Sequence, residues 1–322
     1  MAIGLLIMVP TLAAFGGYGI KKSLKASDKK NEARNRLKNA KWIYERAQTQ
    51  LDEQREISAT KLSELGLLKV GSWGEDLKQF IAHYKSLTDL HPSAPCPKGL
   101  SNHPLDEKAL ERLTHISQLC AEIQNRQQEG SIGVFISFGA YGCSKVLSQA
   151  STETALSAAR VFVSHNATLK WMGGSSQASG TLGFESKHVI LGGVVPLAQK
   201  ISSSGQLAKA MESEERANKA SAAMAASCAV LKSIDQVTDS YSSLIQQLRE
   251  AFGKRLKALN VILKNPEQEF EHLSPTNKKR IMNVINFAKV FTNIIETPML
   301  NKEGSLQTTH IKVIRQGLKL LK

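Results

Sequence analysis

The stretch that decides the fold is residues 217–262, which read ANKASAAMAASCAVLKSIDQVTDSYSSLIQQLREAFGKRLKALNVI. Read in sevens, it carries mostly apolar residues at one repeat position and again three residues later. Because steps of three and four alternate, both positions fall on one side of a helix. The pattern predicts a long heptad helix over 207–264 whose seam is covered by another helix. Its main seam residues are Met224, Leu231, Ile234, Tyr241, Ile245, Leu248 and Phe252.

A second heptad stretch lies within residues 21–90. Alanine recurs there every seven residues, and alanine on a seam allows a partner helix to approach closely. Two such stretches on either side of a central segment predict an all-α, elongated helical bundle with long antiparallel coiled-coil arms. Parallel self-association through either stretch is the alternative. The larger seam residues of this arm are Leu37, Tyr44 and Leu51.

Helix-breaking residues divide the rest of the chain. Residues 91–104, HPSAPCPKGLSNHP, contain four prolines and predict a linker. Ser72, with a glutamate three residues later, fits a capping box that starts a new helix. Pro266 ends the long helix, and Ser274, followed by proline, predicts the N-cap of a helix in the C-terminal segment 265–322.

Residues 1–20, MAIGLLIMVPTLAAFGGYGI, contain no charged side chain, and three lysines follow by residue 25. About twenty apolar residues suffice to cross a bilayer as a helix, and basic residues on the C-terminal side favour a cytoplasmic body. We expect a single transmembrane anchor in the inner or plasma membrane, with the N-terminus outside. The alternatives are a cleaved signal peptide and a buried or peripheral helix, the last giving a cytoplasmic, membrane-peripheral protein.

The net charge of +14 over 322 residues raises three classes of partner: nucleic acid, an anionic membrane face or an acidic protein. Lysine and arginine lie beside acids on most predicted helices, which disfavours nucleic acid. The last thirteen residues, HIKVIRQGLKLLK, contain no acid. They predict either a basic amphipathic helix on a membrane or a helix packed on the bundle with its charges outward.

Nothing in the sequence has the pattern of a catalytic or cofactor site. GSSQASG, at 174–180, lacks the Gly-Lys-Ser/Thr ending of a phosphate loop. The histidines and cysteines lack the close pairing of zinc ligands. The four cysteines are irregularly spaced, which predicts free thiols in a reducing compartment. We therefore expect no enzymatic activity, no cofactor and no metal.

Composition changes at Gly130, inside the segment 105–206, where GSIGVFISFGAYGC and later runs are small and apolar. Small residues let backbones approach closely. The centre therefore predicts either a glycine-rich core between the arms or a hairpin that enters a bilayer after a conformational change. Charges between the runs argue against permanent insertion. The candidate residues are Gly133, Phe135, Phe138, Gly139, Gly142, Trp171, Gly173, Gly174, Gly192 and Gly193.

One short element of this centre carries a resemblance. It follows the pattern A-T-L-x-W-hydrophobic-G-G and is formed by Ala167, Thr168, Leu169, Trp171, Met172, Gly173 and Gly174. Together with Gly192-Gly193, the long helix and the stretch from Thr297 to Gly304, it resembles an uncharacterised bacterial family with helical arms flanking a Gly/Ala-rich centre. The resemblance covers most of residues 22–310 and implies an organisation but no activity. This centre has more serine, glutamine and charge than the family pattern.

These patterns predict a non-enzymatic, membrane-associated helical scaffold that acts through coiled-coil association. Its expected partners are anionic lipid and either a second copy of the chain or another helical protein. The alternative is a membrane-perturbing effector of the pore-forming type, whose glycine-rich centre inserts into a bilayer. An enzyme is a third class, for which no set of catalytic residue types converges in the sequence.

Overall fold

The computed structural model describes residues 23–90, 107–125, 132–148, 154–166, 169, 172, 206–264, 273–301 and 304–321. In these ranges the fold is all-α, as the sequence predicts, and the one extended pairing is an isolated bridge between Leu300 and Leu306. The helices are α1 (Ser23–Gly71), a π-helical turn (Ser72–Leu77), α2 (Lys78–Leu90), α3 (Glu107–Asn125), α4 (Ile132–Tyr141), α5 (Cys143–Val146), α6 (Ala155–His165), α7 (Gln206–Leu263), α8 (Pro275–Glu296) and α9 (Thr309–Leu320).

Several predictions fall outside the described ranges. None of the described helices is both long enough and apolar enough to cross a bilayer. The predicted anchor, residues 1–20, lies outside the described residues and stays a prediction. The same holds for the linker 91–104 and for Trp171, Gly173, Gly174, Gly192 and Gly193.

The chain divides into two compact units. Unit 1 comprises Met1–Ser58 and Thr181–Ser233, and unit 2 comprises Ala59–Gly180 and Ile234–Lys322. In unit 1, α1 and α7 are joined through Glu214, whose carboxylate accepts hydrogen bonds from Arg36 Nη1 at 2.9 Å and Asn39 Nδ2 at 2.8 Å. The apolar faces of the two helices are buried there, at Ala33, Ala40, Tyr44, Leu51, Ala217, Met224 and Leu231.

The core of unit 2 is built around Phe252 of α7. Its ring stacks on Phe287 of α8 at a centroid distance of 5.2 Å and also contacts Phe291 of α8 and Phe80 of α2. In a two-stranded coiled coil, each seam side chain packs between side chains of a single partner helix. Phe252 contacts two other helices, so it belongs to a multi-helix core. The coiled-coil prediction therefore has no support here.

The predicted antiparallel arrangement of the long helices is wrong in unit 2. Lys61 Nζ pairs with Asp239 at 2.6 Å, and further along, Asp76 in the π-helical turn pairs with Arg249 Nε at 2.5 Å. Residue numbers rise together on both sides, so α1 with its π-helical extension runs parallel to α7. A parallel pair needs a long connection to return the chain to its starting end, and the chain between Gly71 and Gln206 supplies it.

The new helix predicted to start at Ser72 does not begin there. Gly71 keeps helical dihedrals, and α1 continues through the π-helical turn into α2. The Ser72 hydroxyl donates to the Leu68 carbonyl at 2.8 Å instead of capping a new helix. The cap at Ser274 is confirmed, because its hydroxyl accepts from the Asn277 backbone amide and proline follows at the first turn of α8.

Helix α4 lies at the centre of unit 2, with Gly133–Tyr141 buried throughout. A Cβ on Gly139 would lie 2.1 Å from the Leu62 carbonyl oxygen, and one on Gly66 would lie 1.9 Å from that of Phe135. The backbones of α1 and α4 are therefore in direct contact, which only glycine permits at the crossing. In the described part of the glycine-rich centre, the arrangement is that of a tightly packed core.

Candidate functional site

A buried polar cluster lies where α1 ends, and Lys69 is its central residue. The Lys69 side chain is 0% exposed, and its Nζ donates to the Gly139 carbonyl of α4 at 2.9 Å. The ammonium also lies 5.9 Å from the centroid of the Tyr241 ring on α7. Burial penalises the charged form and lowers the pKa of Lys69 to about 8.

The carboxylate of Glu296, the last residue of α8, belongs to the same cluster. Trp73 Nε1 donates to Glu296 Oε1 at 2.5 Å, and the Ser144 backbone amide donates to Oε2 at 2.9 Å. Part of the Glu296 residue remains exposed, while both carboxylate oxygens are occupied by these donors. Burial raises the pKa of Glu296, and the two hydrogen bonds and the charge of Lys69 oppose that rise. The opposite charges of Lys69 and Glu296 offset part of each other's cost of burial.

Gly142 forms the sharp corner between α4 and α5 beside this carboxylate. Its φ of 85° lies in the left-handed region, and a Cβ there would lie 2.6 Å from the Glu296 carbonyl oxygen. The end of α4 is also fixed by the segment after α8, because the Ala140 carbonyl accepts from the Met299 and Leu300 amides at 2.8 and 3.2 Å. A glycine is required at this corner for both conformational and steric reasons.

Two free thiols complete the cluster. Cys143 of α5 and Cys120 of α3 are both fully buried. Burial raises the pKa of Cys143 well above its ordinary value, a hydrogen bond with Cys120 raises it further, and Lys69 opposes the shift. A cysteine nucleophile needs access to solvent, and both thiols are closed off from it, so they have the environment of packing residues. The cluster joins α4 to the elements packed around it in unit 2, which are α1, the π-helical turn, α3, α5, α7 and α8.

The cluster was missed by sequence reasoning, although one signal for it exists. Lys69 lies seven residues after Leu62 and four after Leu65, both fully buried, so helical spacing places it on the apolar face of α1. A lysine on such a face predicts a buried partner. Its partners come from α4 and α8, which lie far away in the sequence, and helical periodicity cannot identify them.

The second candidate is an exposed surface on α9. Val313 and Gly317 are buried against the bundle, and the Gly317 backbone approaches Leu244 so closely that an added Cβ would lie 2.7 Å from its Cδ2. The outward surface, which we call the C-terminal basic face, consists of Ile311, Lys312, Arg315, Leu318 and Lys319, all exposed. The exposed fractions of its two aliphatic residues are 47% and 48%. Helix α9 packs on the bundle with its charges outward, which is one of the two arrangements predicted from the sequence. Two aliphatic side chains also face outward beside those charges.

The structure brings together some of the predicted site residues. Gly133, Phe135, Phe138, Gly139 and Gly142 lie together in α4 and its corner, all buried. Every described seam residue is buried except Leu37, which is half-buried. The seam is thus covered from within the chain, and the exposed basic face lies elsewhere.

The comparisons with known proteins give no further identification. No family model, no curated protein and no solved structure matches the chain. The resemblance to an uncharacterised bacterial family therefore stays a prediction.

Proposed function

We propose that the chain is a non-enzymatic helical scaffold that associates with an anionic membrane surface through its C-terminal basic face. The observation that supports this proposal is the combination of Ile311 and Leu318, each about half exposed, with three exposed cations on a helix that contains no acid. Apolar residues beside basic ones are typical of helices that lie in the interface of an anionic bilayer. In the same proposal, residues 1–20 anchor the chain in the inner or plasma membrane with its body in the cytoplasm.

The expected strength of the contact is modest. Three basic residues near an anionic surface contribute about 3 kcal/mol, and burying the exposed parts of two aliphatic side chains adds about 2 kcal/mol. A total of about 5 kcal/mol corresponds to a sub-millimolar dissociation constant. The basic face would therefore bind reversibly and orient the body against the membrane, while a helical protein or a second copy binds elsewhere on its surface.

Vesicle sedimentation tests the proposal. Residues 1–20 precede every described helix, so removing them separates the basic face from the predicted anchor. We expect the shortened chain to sediment with vesicles containing phosphatidylglycerol and to remain in solution with pure phosphatidylcholine. Ile311→Ser with Leu318→Ser should weaken sedimentation about tenfold or more, since most of the apolar contribution is lost. Val261→Ser, at an even more exposed apolar site on α7, is the control.

Two results would contradict the proposal. One is equal binding to charged and uncharged vesicles, and the other is unchanged binding after the double substitution on α9. Full-length chain in fractionated cells tests the anchor separately. If the chain stays in the soluble fraction with and without residues 1–20, the anchoring part of the proposal is wrong.

A second candidate function is membrane perturbation, and α4 favours it. The helix contains no charged side chain from Ile132 to Tyr141 and is buried except at Ile132. Ten residues span only about 15 Å as a helix, about half of a bilayer core. Insertion would therefore require further segments of the glycine-rich centre to enter the bilayer together with α4.

Dye release from anionic vesicles tests this second function. Substitutions at Gly139 are unsuitable, because any side chain there collides with the α1 backbone. Ile132→Lys instead adds a charge at the exposed start of α4, where the folded core is not disturbed. We expect it to suppress leakage, whereas Ile57→Lys, at a similarly exposed site on α1, should not. Leakage that is absent from the unmodified chain, or equal in both variants, would exclude insertion of α4.

A further inference from the structure

We infer that unit 2 binds a small, neutral aromatic molecule in the cavity enclosed by the π-helical turn, α2, α3 and α8. The cavity has a volume of about 170 Å³ and is lined by side chains from all four of these elements. Such a site would bind its ligand whether or not the chain lies on a membrane. It therefore adds a ligand to the proposed scaffold.

The deep part of the cavity is apolar and lies in the core of unit 2. It is formed by Trp73, Leu77, Phe80, Ile81 and Ala288, all of which are buried. An apolar cavity of about 150 Å³ is large enough to hold a benzene molecule, and it stays dry because it offers water no polar partners. The size and the lining of this cavity therefore suit a single aromatic ring.

The cavity reaches the surface on one side. Leu113 of α3 and Lys289 and Thr292 of α8 complete its lining, and all three are half-buried, so a ligand can enter there without unfolding the core. Lys289 is the one charged residue among the described lining residues, and it already has an interaction partner. The cavity therefore favours a neutral ligand over an anion. The Thr292 hydroxyl can form a hydrogen bond with one polar group of the ligand at this entrance.

The aromatic walls of the cavity are held by contacts that lie outside it. Trp73 Nε1 donates to Glu296 at 2.5 Å, and the Trp73 carbonyl accepts from the Ser117 hydroxyl at 3.0 Å. The Phe80 ring contacts the Phe252 ring at a centroid distance of 6.0 Å. These contacts keep both rings from turning into the empty space, and a preformed site loses little entropy on binding. A ligand ring can pack against the two aromatic walls in tilted or edge-to-face geometry, which favours an aromatic ligand over an alkyl chain.

Phenol and 1-hexanol are matched probes, because they have the same number of carbons and one hydroxyl group each. We expect phenol to bind with a dissociation constant of about 1 mM, in keeping with the affinity per atom of very small ligands. It should bind about threefold more tightly than 1-hexanol, because a rigid ring has no chain rotations to lose.

The indole N–H signals of the full-length, isotope-labelled chain report this binding by NMR. The Trp73 signal should shift with phenol concentration, since its ring lines the cavity. Trp42, which is 56% exposed on α1, is an internal control whose signal should stay in place. Trp42→Phe and Trp171→Phe each remove one signal and so assign the three.

Filling the cavity should prevent binding. Ala288→Leu places a larger side chain in the space of the ligand ring and should weaken phenol binding about tenfold or more. Ala82→Leu makes the same substitution at an exposed site on α2 and should leave binding unchanged. If the chain with Ala288→Leu does not fold, Thr292→Leu at the half-buried entrance gives the same test with the same expected loss.

Four results would overturn the inference. One is a Trp73 signal that does not move at about 10 mM phenol, well above the expected dissociation constant. Another is an equal shift of the Trp42 signal, which would show non-specific contact with the protein surface. The third is phenol binding that survives the filling substitutions, because the ligand would then lie elsewhere. The last is binding of 1-hexanol as tight as that of phenol, which would assign the cavity to an alkyl chain.

Discussion

Replacing Lys69 with methionine should remove a specific pH dependence from the stability of unit 2. The pKa of Lys69 falls from its ordinary value of 10.5 to about 8 on folding, because the ammonium is buried with a single backbone acceptor. The unfolded chain then binds more protons than the folded chain between pH 8 and 10.5, so stability rises with pH in that window. Below pH 8 the cost of the buried charge is fully present, at about 3 kcal/mol from 1.36 kcal/mol per pKa unit.

Urea unfolding between pH 7 and 9.5 measures this effect. Over that interval the free energy of unfolding should rise by about 2 kcal/mol. The rest of the cost of the buried charge persists at pH 9.5, since the lysine of the unfolded chain is still mostly protonated there. Folding raises the pKa of Cys143, so ionisation of this thiol in the unfolded chain lowers the stability as the pH rises. This effect is present in both the original chain and Lys69→Met. The difference between the original chain and Lys69→Met should therefore change by about 2 kcal/mol across the interval.

The matched control is Lys254→Met, which removes an exposed lysine from the same unit. Its stability curve should run parallel to that of the original chain. Parallel curves for Lys69→Met as well would refute the reasoning, because they would mean that Lys69 titrates alike in the folded and unfolded chains. A difference of opposite sign would mean that the charged form is favoured on folding.

Further substitutions test the packing and helix capping of unit 2. Gly139→Ala should destabilise it by about 3 kcal/mol, the upper part of the range for overpacking, because the new Cβ would lie 2.1 Å from an α1 carbonyl oxygen. Gly253→Ala, with no atom within 4 Å, should instead stabilise α7 by about 0.5 kcal/mol or more in the same unfolding assay. Phe252→Ala should cost about 3 to 5 kcal/mol by thermal or urea unfolding, and Val261→Ala, which is exposed, less than about 0.5 kcal/mol. Ser274→Ala should cost about 1 kcal/mol through loss of the α8 N-cap, and an unchanged midpoint would contradict that role.

Local patterns were sufficient for several of the helical elements. The heptad spacing around Leu231 and Phe252 identified a buried face on α7, because side chains three and four residues apart share one side of any helix. Ser274 and the proline after it identified the start of α8, since capping depends only on the first turn. The aliphatic and basic residues of α9 predicted an amphipathic helix from the sequence alone.

The pairing of these elements required the tertiary structure. The same apolar face can be covered by a parallel or an antiparallel neighbour, and the contacts of Lys61 and Asp76 with α7 show a parallel one. Gly71 can end a helix or continue it, and here the helix continues because the π-helical turn that follows packs Trp73 into the core. Helical periodicity shows that one face of a helix is buried, but it does not identify the helix that covers that face.

The sequence by itself determined an all-α chain, the inward faces of its long helices and the basic character of its end. Only the tertiary structure decided that Lys69 and Glu296 share one buried cluster, that α4 is enclosed by glycine contacts, and that α2, α3 and α8 line one apolar cavity. The physical reason is distance along the chain. Helical propensity and amphipathicity act within a few turns, whereas these contacts join residues from different helices and form only when the helices have packed.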